Sequence, residues 1–289
     1  MWAPWWPRVV CSIGRAACLL APSAGAIAAP PCSWSSHAPL HRPCRHRHGA
    51  GSGIGRGIAE RFAAEGACVV LAGRTPDKLE SVAATRDPAR TLVHRCDVAR
   101  LEDVRALVAA AVERFGGVDV MVNNAGVAPE GDVLELGPDD WHRAIDIDLG
   151  GVFHGCRCAL PELLKRRGCI VNVASVSGLG ADWRLAAYNA AKGGAVNLTR
   201  ALALDFGPRG VRTNAVCPSL TRTPMTEGMF RQPELIAAFM ERLPLGRAAE
   251  PADVAGVVAF LASEDARFVN GVNLPVDGGL GASNGQPRM

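Results

Sequence analysis

Tyrosine is almost missing from this chain: 289 residues hold one, Tyr188, and aromatic residues of all kinds make up only 5%. No apolar run reaches the ~18 residues a spanning helix needs, which excludes a transmembrane helical bundle. Acid is missing from residues 1–48, which carry five of the arginines. The net charge of +3 is therefore local to that segment, and the remainder of the chain carries −2. A mildly acidic body has no nucleic-acid footprint. No internal repeat is present.

Cysteine is not scarce, at ten residues, but its spacing is uninformative. Cys11, Cys18, Cys32 and Cys44 lie in the first 48 residues. Cys68, Cys96, Cys169 and Cys217 fall in short apolar runs, and Cys156 and Cys158 are too close for a metal-ligand pair. These thiols read as small buried hydrophobes in a reducing compartment, and no metal site is expected.

The body alternates two periodicities. Short continuous apolar runs at Ala67–Ala72, Thr91–Cys96, Val118–Val122, Cys169–Val173 and Val211–Cys217 predict buried parallel strands. Helical patterns separate them at Gly55–Glu65, Leu101–Phe115, Pro138–Arg167, Tyr188–Phe206 and Pro251–Ser263. Gly66 and Gly116 follow helix ends, and Pro138 and Pro251 sit near helix starts. Strands alternating with helices predict one α/β domain, Gly49–Met289, with a doubly wound parallel sheet. Ligands of such sheets bind beyond the carboxyl ends of the strands.

Gly49-Ala50-Gly51-Ser52-Gly53-Ile54-Gly55 opens the first helix. Glycines let the backbone approach a pyrophosphate, and a helix start offers free N–H groups and a positive dipole end. A solvent linker would look alike on this segment alone. The strand that follows ends at Gly73-Arg74. An acid at that tip would bond a ribose 2′-hydroxyl, whereas an arginine accommodates a 2′-phosphate. Arg74 therefore favours NADP(H), with NAD(H) as the second choice. The bland alternative is a solvated surface arginine. Asp97 and Val98, after the third strand, are placed to reach an adenine ring, and Asp97 could equally cap the next helix.

Tyr188 and Lys192 are four residues apart, on one face of a helix. A free phenol titrates near ~10, and a neighbouring ammonium favours the phenolate. The pair suits proton exchange with a carbonyl or alcohol oxygen. Taken alone, a packed helix tyrosine beside a surface lysine explains it as well.

Together these segments resemble the short-chain dehydrogenase/reductase family, over Gly49 to about Gly279. Gly49, Ser52, Gly53, Ile54 and Gly55 look like its phosphate loop. Asn123-Asn124-Ala125-Gly126 is similar to its signature after the fourth strand. Ser175 stands thirteen residues before Tyr188, the family's spacing for its catalytic serine. Pro218 to Thr223 resembles the segment with a nicotinamide-binding threonine, here Thr223, and Asp277-Gly278-Gly279 resembles the end of the sheet. The resemblance implies a Rossmann-type fold and hydride transfer between a nicotinamide and a secondary alcohol or ketone. It implies Ser175, Tyr188 and Lys192 as catalytic residues, with Lys192 also on the nicotinamide ribose. Asn124, Ala125, Gly126, Tyr188 and Pro218 join the cofactor site. It also implies a homo-oligomer, tetramer or dimer, with the Gly281–Pro287 tail reaching a neighbouring subunit.

Three departures stand out. Asp148 occupies the place of a family asparagine that joins a proton relay to the lysine. An ionised carboxylate accepts but cannot donate. Its charge would hold Lys192 as a cation and oppose phenolate formation, so a slower enzyme or an upward-shifted pH optimum is expected. Ser219 replaces a glycine, without expected consequence. The largest departure precedes Gly49, where the family's first strand should lie mid-sheet. His41-Arg42-Pro43-Cys44-Arg45-His46-Arg47-His48 is a poor central strand, because Pro43 lacks a ladder donor and the Arg/His cluster is costly to bury. The first strand reads as missing or replaced.

Residues 1–48 hold four of six tryptophans, four of seven histidines and seven of twenty prolines. A secretory signal is one reading, with Arg8 and Arg15 flanking apolar residues and Ala16–Ala29 ending in small side chains. It would part the enzyme from its cofactor pool. A transit peptide fits the arginines but not the tryptophan and proline. The favoured reading is a frame error: Arg45-His46-Arg47 as CGT-CAC-CGG gives Val-Thr-Gly one nucleotide later.

The leading function is an NADP(H)-dependent alcohol/ketone oxidoreductase, cytoplasmic, with no nucleic-acid or membrane partner. The rival is a catalytically weak dinucleotide-binding regulatory or scaffold protein, and a third reading is a product that does not fold. Gly178–Ala187 and Ser219–Gln232 should form the substrate pocket, with Trp183, Met225, Met229 and Phe230 as an apolar lining or a self-packed lid.

Overall fold

The computed structural model describes residues 8–12, 51–284 and 286. Seven strands form one sheet: β1 (Arg8–Ser12), β2 (Cys68–Gly73), β3 (Thr91–Arg95), β4 (Val120–Asn123), β5 (Cys169–Val173), β6 (Arg212–Pro218) and β7 (Asn273–Val276). Every pairing is parallel and the order is β3-β2-β1-β4-β5-β6-β7. The order reverses between β1 and β4, which opens a crevice at the carboxyl edge.

The helices follow from local signals. In chain order they are α1 (Gly53–Ala64), α2 (Pro76–Ala83), α3 (Leu101–Phe115), α4 (Pro138–Ile145), α5 (Gly151–Arg166), α6 (Ala186–Phe206), α7 (Glu227–Phe230), α8 (Pro233–Arg242) and α9 (Pro251–Ala262). Four of them, α2, α4, α8 and α9, carry proline at their first turn, where its missing N–H costs nothing. Gly116 ends α3 in the left-handed region, which glycine adopts freely. Helix α1 packs against α9 and α3 against α5. Between them β4 and β5 are buried along their whole length, as continuous apolar runs require. Phe62, Ile58, Leu71, Leu107, Met121 and Ile170 are fully buried in this core.

The α1–α9 contact has little room. A Cβ on Gly57 would come within 2.7 Å of the Pro251 carbonyl oxygen and 2.8 Å of its carbon. Backbone atoms cannot step aside as a side chain can. Gly57→Ala would gain about 1 kcal/mol of helix propensity, but the clash should cost about 1–3 kcal/mol. Urea unfolding should therefore show a net loss, with the midpoint lowered and the slope unchanged.

One expectation about elements needs correcting. The run Pro138–Arg167 is not one helix: a π turn at Asp146–Gly150 divides α4 from α5, and such turns often re-aim side chains at functional sites. The first strand, which reads as missing or replaced ahead of Gly49, is replaced: β1 fills its slot. Val9 and Val10 pair with Val120 and Met121 on one side, and Arg8 and Val9 with Cys68 and Val69 on the other. The Val9-Val10-Cys11 run has the β-branched character a central strand needs. His41–His48, Gly49 and the codon-level reading lie outside the described residues. Among the described residues no helix is long and apolar enough to cross a membrane, and no group of metal-ligating side chains is present. Burial pushes the thiols of Cys96 and Cys156 up to about 12 and those of Cys169 and Cys217 up to about 11. They are inert apolar filler at neutral pH.

Candidate active site

A cleft of about 420 Å³ lies at the carboxyl edge of the sheet, within the range of small-molecule sites. Its floor at one end is the start of α1. Ser52, Gly53 and Ile54 line it. Gly53 has φ +59, and a Cβ there would meet Thr223 Cγ2 at 2.9 Å. Glycine is needed on both counts. The Ser52 side chain makes no capping hydrogen bond, and the first turn carries no acid. The helix start keeps its donors and its positive end for an anion such as a pyrophosphate. Gly55, by contrast, is buried behind the turn and Gly49 is outside the described residues.

Arg74 follows the last residue of β2, is exposed, and lines the cleft. Arg95, at the end of β3, is the register partner of Gly73. Asp97 and Val98 line the next stretch of wall. Asp97 accepts from the Ala99 N–H at 3.1 Å, and its own N–H donates to Asp103 at 3.0 Å. It closes the turn ahead of α3 and does not cap that helix, whose N-cap is Arg100. Val98 is held by α5, which can approach only because Gly151 has no side chain: a Cβ there would sit 2.7 Å from Val98 Cγ2.

The other end of the cleft holds Ser175, Tyr188 and Lys192. Helix α6 brings Tyr188 and Lys192 to one face, with the Lys192 Nζ 5.5 Å from the phenol ring centre. Nζ donates to the Val173 carbonyl at 3.0 Å and lies 3.5 Å from Asp148 Oδ2. Asp148 is completely buried in the π turn, outside the cleft wall. Its Oδ1 accepts from the Val127 N–H at 2.8 Å, while Oδ2 has the ion pair but no hydrogen bond. Gly126 lets the chain pass this pair, because a Cβ there would be 3.0 Å from Oδ2. Asn124 and Gly126 line the cleft, whereas Ala125 is buried beside it.

The electrostatics follow from burial. Burial pushes Asp148 up to about 6 against the pull of Lys192. Burial would lower Lys192, but Asp148 and then Tyr188 hold it above its usual value. Tyr188 stands above the ordinary phenol value, since burial outweighs Lys192 and the charge of Asp148 adds to the rise. The expected downward pull of Lys192 is there, but in the protein alone it loses to desolvation.

A buried ladder sets the angle of α6. Asn123 Nδ2 donates to Asn172 Oδ1 at 2.9 Å, and Asn172 Nδ2 donates to Thr199 Oγ1 at 2.9 Å. Thr199 in turn donates to Ala195 O at 2.8 Å. The ladder ties the ends of β4 and β5 to the helix that carries Tyr188 and Lys192. Its sequence signal was a polar residue, Asn172, inside an otherwise apolar strand.

The facing wall is the segment after β6. Pro218, Ser219, Thr221, Thr223, Met225 and Thr226 line it. Thr226 Oγ1 donates to the Thr221 carbonyl at 2.6 Å and accepts from the Thr223 N–H at 3.1 Å. Of the four apolar candidates for a lining, only Met225 lines the cleft. Trp183 is 96% exposed, and Phe230 lies under the Arg222 guanidinium at 4.1 Å. Arg143 and Ile147, unremarked in the sequence, also line the cleft.

A family model described as Enoyl-(Acyl carrier protein) reductase matches residues 49–281. Meso-2,3-butanediol dehydrogenase of Serratia marcescens is 53% identical over 241 residues, covering 83% of this chain and 95% of that protein. 2-(R)-Hydroxypropyl-CoM dehydrogenase of Xanthobacter autotrophicus is 42% identical over 237 residues, covering 80% and 95%. Among solved structures, levodione reductase superposes with a TM-score of 0.77 at 36% identity, over 81% of this chain and 96% of that one. A 3-ketoacyl-(acyl-carrier-protein) reductase from Brucella melitensis, complexed with NADH, gives 0.74 at 35% identity over 80% and 95%. The chain therefore belongs to the short-chain dehydrogenase/reductase family, as an NAD(P)-binding oxidoreductase acting on CH–OH groups.

Proposed function

We propose that the cleft interconverts a small secondary alcohol and its ketone with NADP(H), using Ser175, Tyr188 and Lys192. The observation that carries this is their convergence on one wall of a cleft whose other end is an anion-ready helix start. A bound nicotinamide dinucleotide supplies the hydride acceptor or donor. Tyr188 moves a proton to or from the substrate oxygen. Ser175 fixes that oxygen. Lys192, anchored on Val173, supplies positive charge beside the phenol and would bond the nicotinamide ribose. Ser52, Gly53 and Ile54 would hold the pyrophosphate, Asp97 and Val98 the adenine, and Asn124, Pro218 and Thr223 the nicotinamide side. The butanediol dehydrogenase relative suggests a short alcohol with a neighbouring hydroxyl as the substrate class. Turnover of a panel of vicinal diols and hydroxyketones, with cofactor fluorescence, tests the reading. Binding without turnover would favour a weak regulatory dinucleotide binder, the reading that buried Asp148 supports.

The preference for NADP(H) rests on Arg74 and on Arg95 beside it, with no acid at the tip of β2. Arg74→Ala should cut kcat/KM for NADP+ roughly ten- to a hundredfold, the worth of a charge-assisted hydrogen bond of about 1.5–3 kcal/mol. The value for NAD+ should barely move. Equal losses for both cofactors would refute the preference. The same proposal takes the enzyme as a homo-oligomer in the cytoplasm, with a catalytic domain built from 49–289 together with the central strand β1. Sedimentation of the full chain tests the assembly.

A further inference from the structure

Ser175 does not stand alone. Its Oγ lies 2.9 Å from Ser177 Oγ and accepts the Ser177 N–H at 3.1 Å. Ser177 Oγ in turn donates to the Asp182 carboxylate. A hydroxyl has one proton, and a carboxylate only accepts. With the Ser177 proton committed to Asp182, the bond between the two serines has a single polarity: Ser175 donates and Ser177 accepts. The Ser175 oxygen then has no proton to give, and with one of its two lone pairs taken by the Ser177 N–H it presents a single lone pair to the cleft.

The loop that carries Asp182 is fixed to the catalytic helix. Asn189, next to Tyr188, donates to Asp182 O at 2.8 Å and accepts from its N–H at 3.1 Å. Gly178 lies so near α6 that a Cβ would be 2.6 Å from the Lys192 carbonyl oxygen. Arg184, at φ +56, pairs with Glu135 and passes its carbonyl to the Gly131 N–H at 2.9 Å. Asp182 therefore meets Ser177 from a pinned loop, although it is itself exposed.

We propose that Asp182, acting through Ser177, is a positioning residue that sets the hydrogen-bond polarity of Ser175 and biases the ground state toward an alcohol over a carbonyl ligand. This rests on the placement of Ser175 at the substrate oxygen. An alcohol O–H can donate to the one lone pair that Ser175 still presents. A carbonyl brings no proton and would have to turn Ser175 away from Ser177 first. Because forward and reverse kcat/KM are tied by the reaction equilibrium, the effect shows in ground-state binding and not in that ratio.

The test uses the full chain with cofactor bound and two dead-end ligands of similar size. Tert-butanol donates and cannot be oxidised, and N,N-dimethylacetamide only accepts. Asp182→Ala and Ser177→Ala both free the Ser175 proton, and the backbone bonds of residue 182 to Asn189 remain. In both variants the alcohol-to-amide affinity ratio should fall roughly three- to tenfold, the worth of one neutral hydrogen bond. An unchanged ratio, or equal weakening of both ligands, would overturn the proposal. Ser175→Ala separates the two readings: if it leaves both affinities unchanged, Ser175 is not at the substrate and the placement itself fails.

Discussion

Replacing Tyr188 by phenylalanine is expected to lower kcat by roughly 10²–10⁴-fold, the range attributed to a positioned proton donor. The change removes one oxygen from a half-buried side chain and leaves the ring against Lys192, so fold and cofactor binding should persist. Unchanged cofactor fluorescence with lost turnover is the expected pair of readouts. A variant within threefold of the parent would mean that the proton travels by another route. Because Tyr188 is the only tyrosine, phenolate absorbance in the parent reports a single group. The midpoint in the free protein should lie above the ordinary phenol value, because burial and Asp148 outweigh Lys192. Alcohol oxidation uses the phenolate, so its rate should climb toward alkaline pH.

Asp148→Asn should have the next largest effect, and of the opposite sign in pH. The carboxylate raises Tyr188, so removing its charge should move the acid limb of alcohol oxidation to lower pH. Each unit of that movement multiplies the phenolate fraction about tenfold below the midpoint. Stability should respond as well. The folded Asp148 holds its proton to about 6, against 3.8 ordinarily. Over that interval the native state binds more protons than the unfolded state, so stability falls as pH rises toward about 6. The Asn variant should lack this slope in Tm against pH. An unchanged rate, limb and slope together would show that Asp148 is silent.

How much of this was legible depends on whether local sequence or tertiary contact decides. Cys169–Val173 and Leu101–Phe115 are found with the boundaries their patterns predict, because buried strands and amphipathic helices carry their own periodicity. Helices α7 and α8 were not read: α7 is a single turn, and α8, although its apolar residues recur at helical spacing, buries none of them. Helix α2 buries only Leu79 and Val82. The π turn was hidden too, since inserting one residue into a helix leaves no compositional mark. Ser52, Gly53, Arg74, Ser175, Tyr188, Lys192 and Thr223, all singled out from the sequence, line one cleft. The Asn123–Asn172–Thr199 ladder and the Ser177–Asp182 contact were not read, because their partners are far apart in the chain or lie in an unpatterned loop.

The two walls of the cleft differ in what anchors them. One is α6, bolted to the sheet by buried amides and a hydroxyl. The other runs into α7 and α8, which contribute nothing to the core. Amide protons of α6 should therefore exchange only in near-global openings, while those of 227–242 exchange through cheap local ones. A molecule trapped between an unyielding wall and a yielding one leaves by way of the latter. Product departure, and with it the ceiling on turnover, is then governed by residues that never touch the reacting atoms.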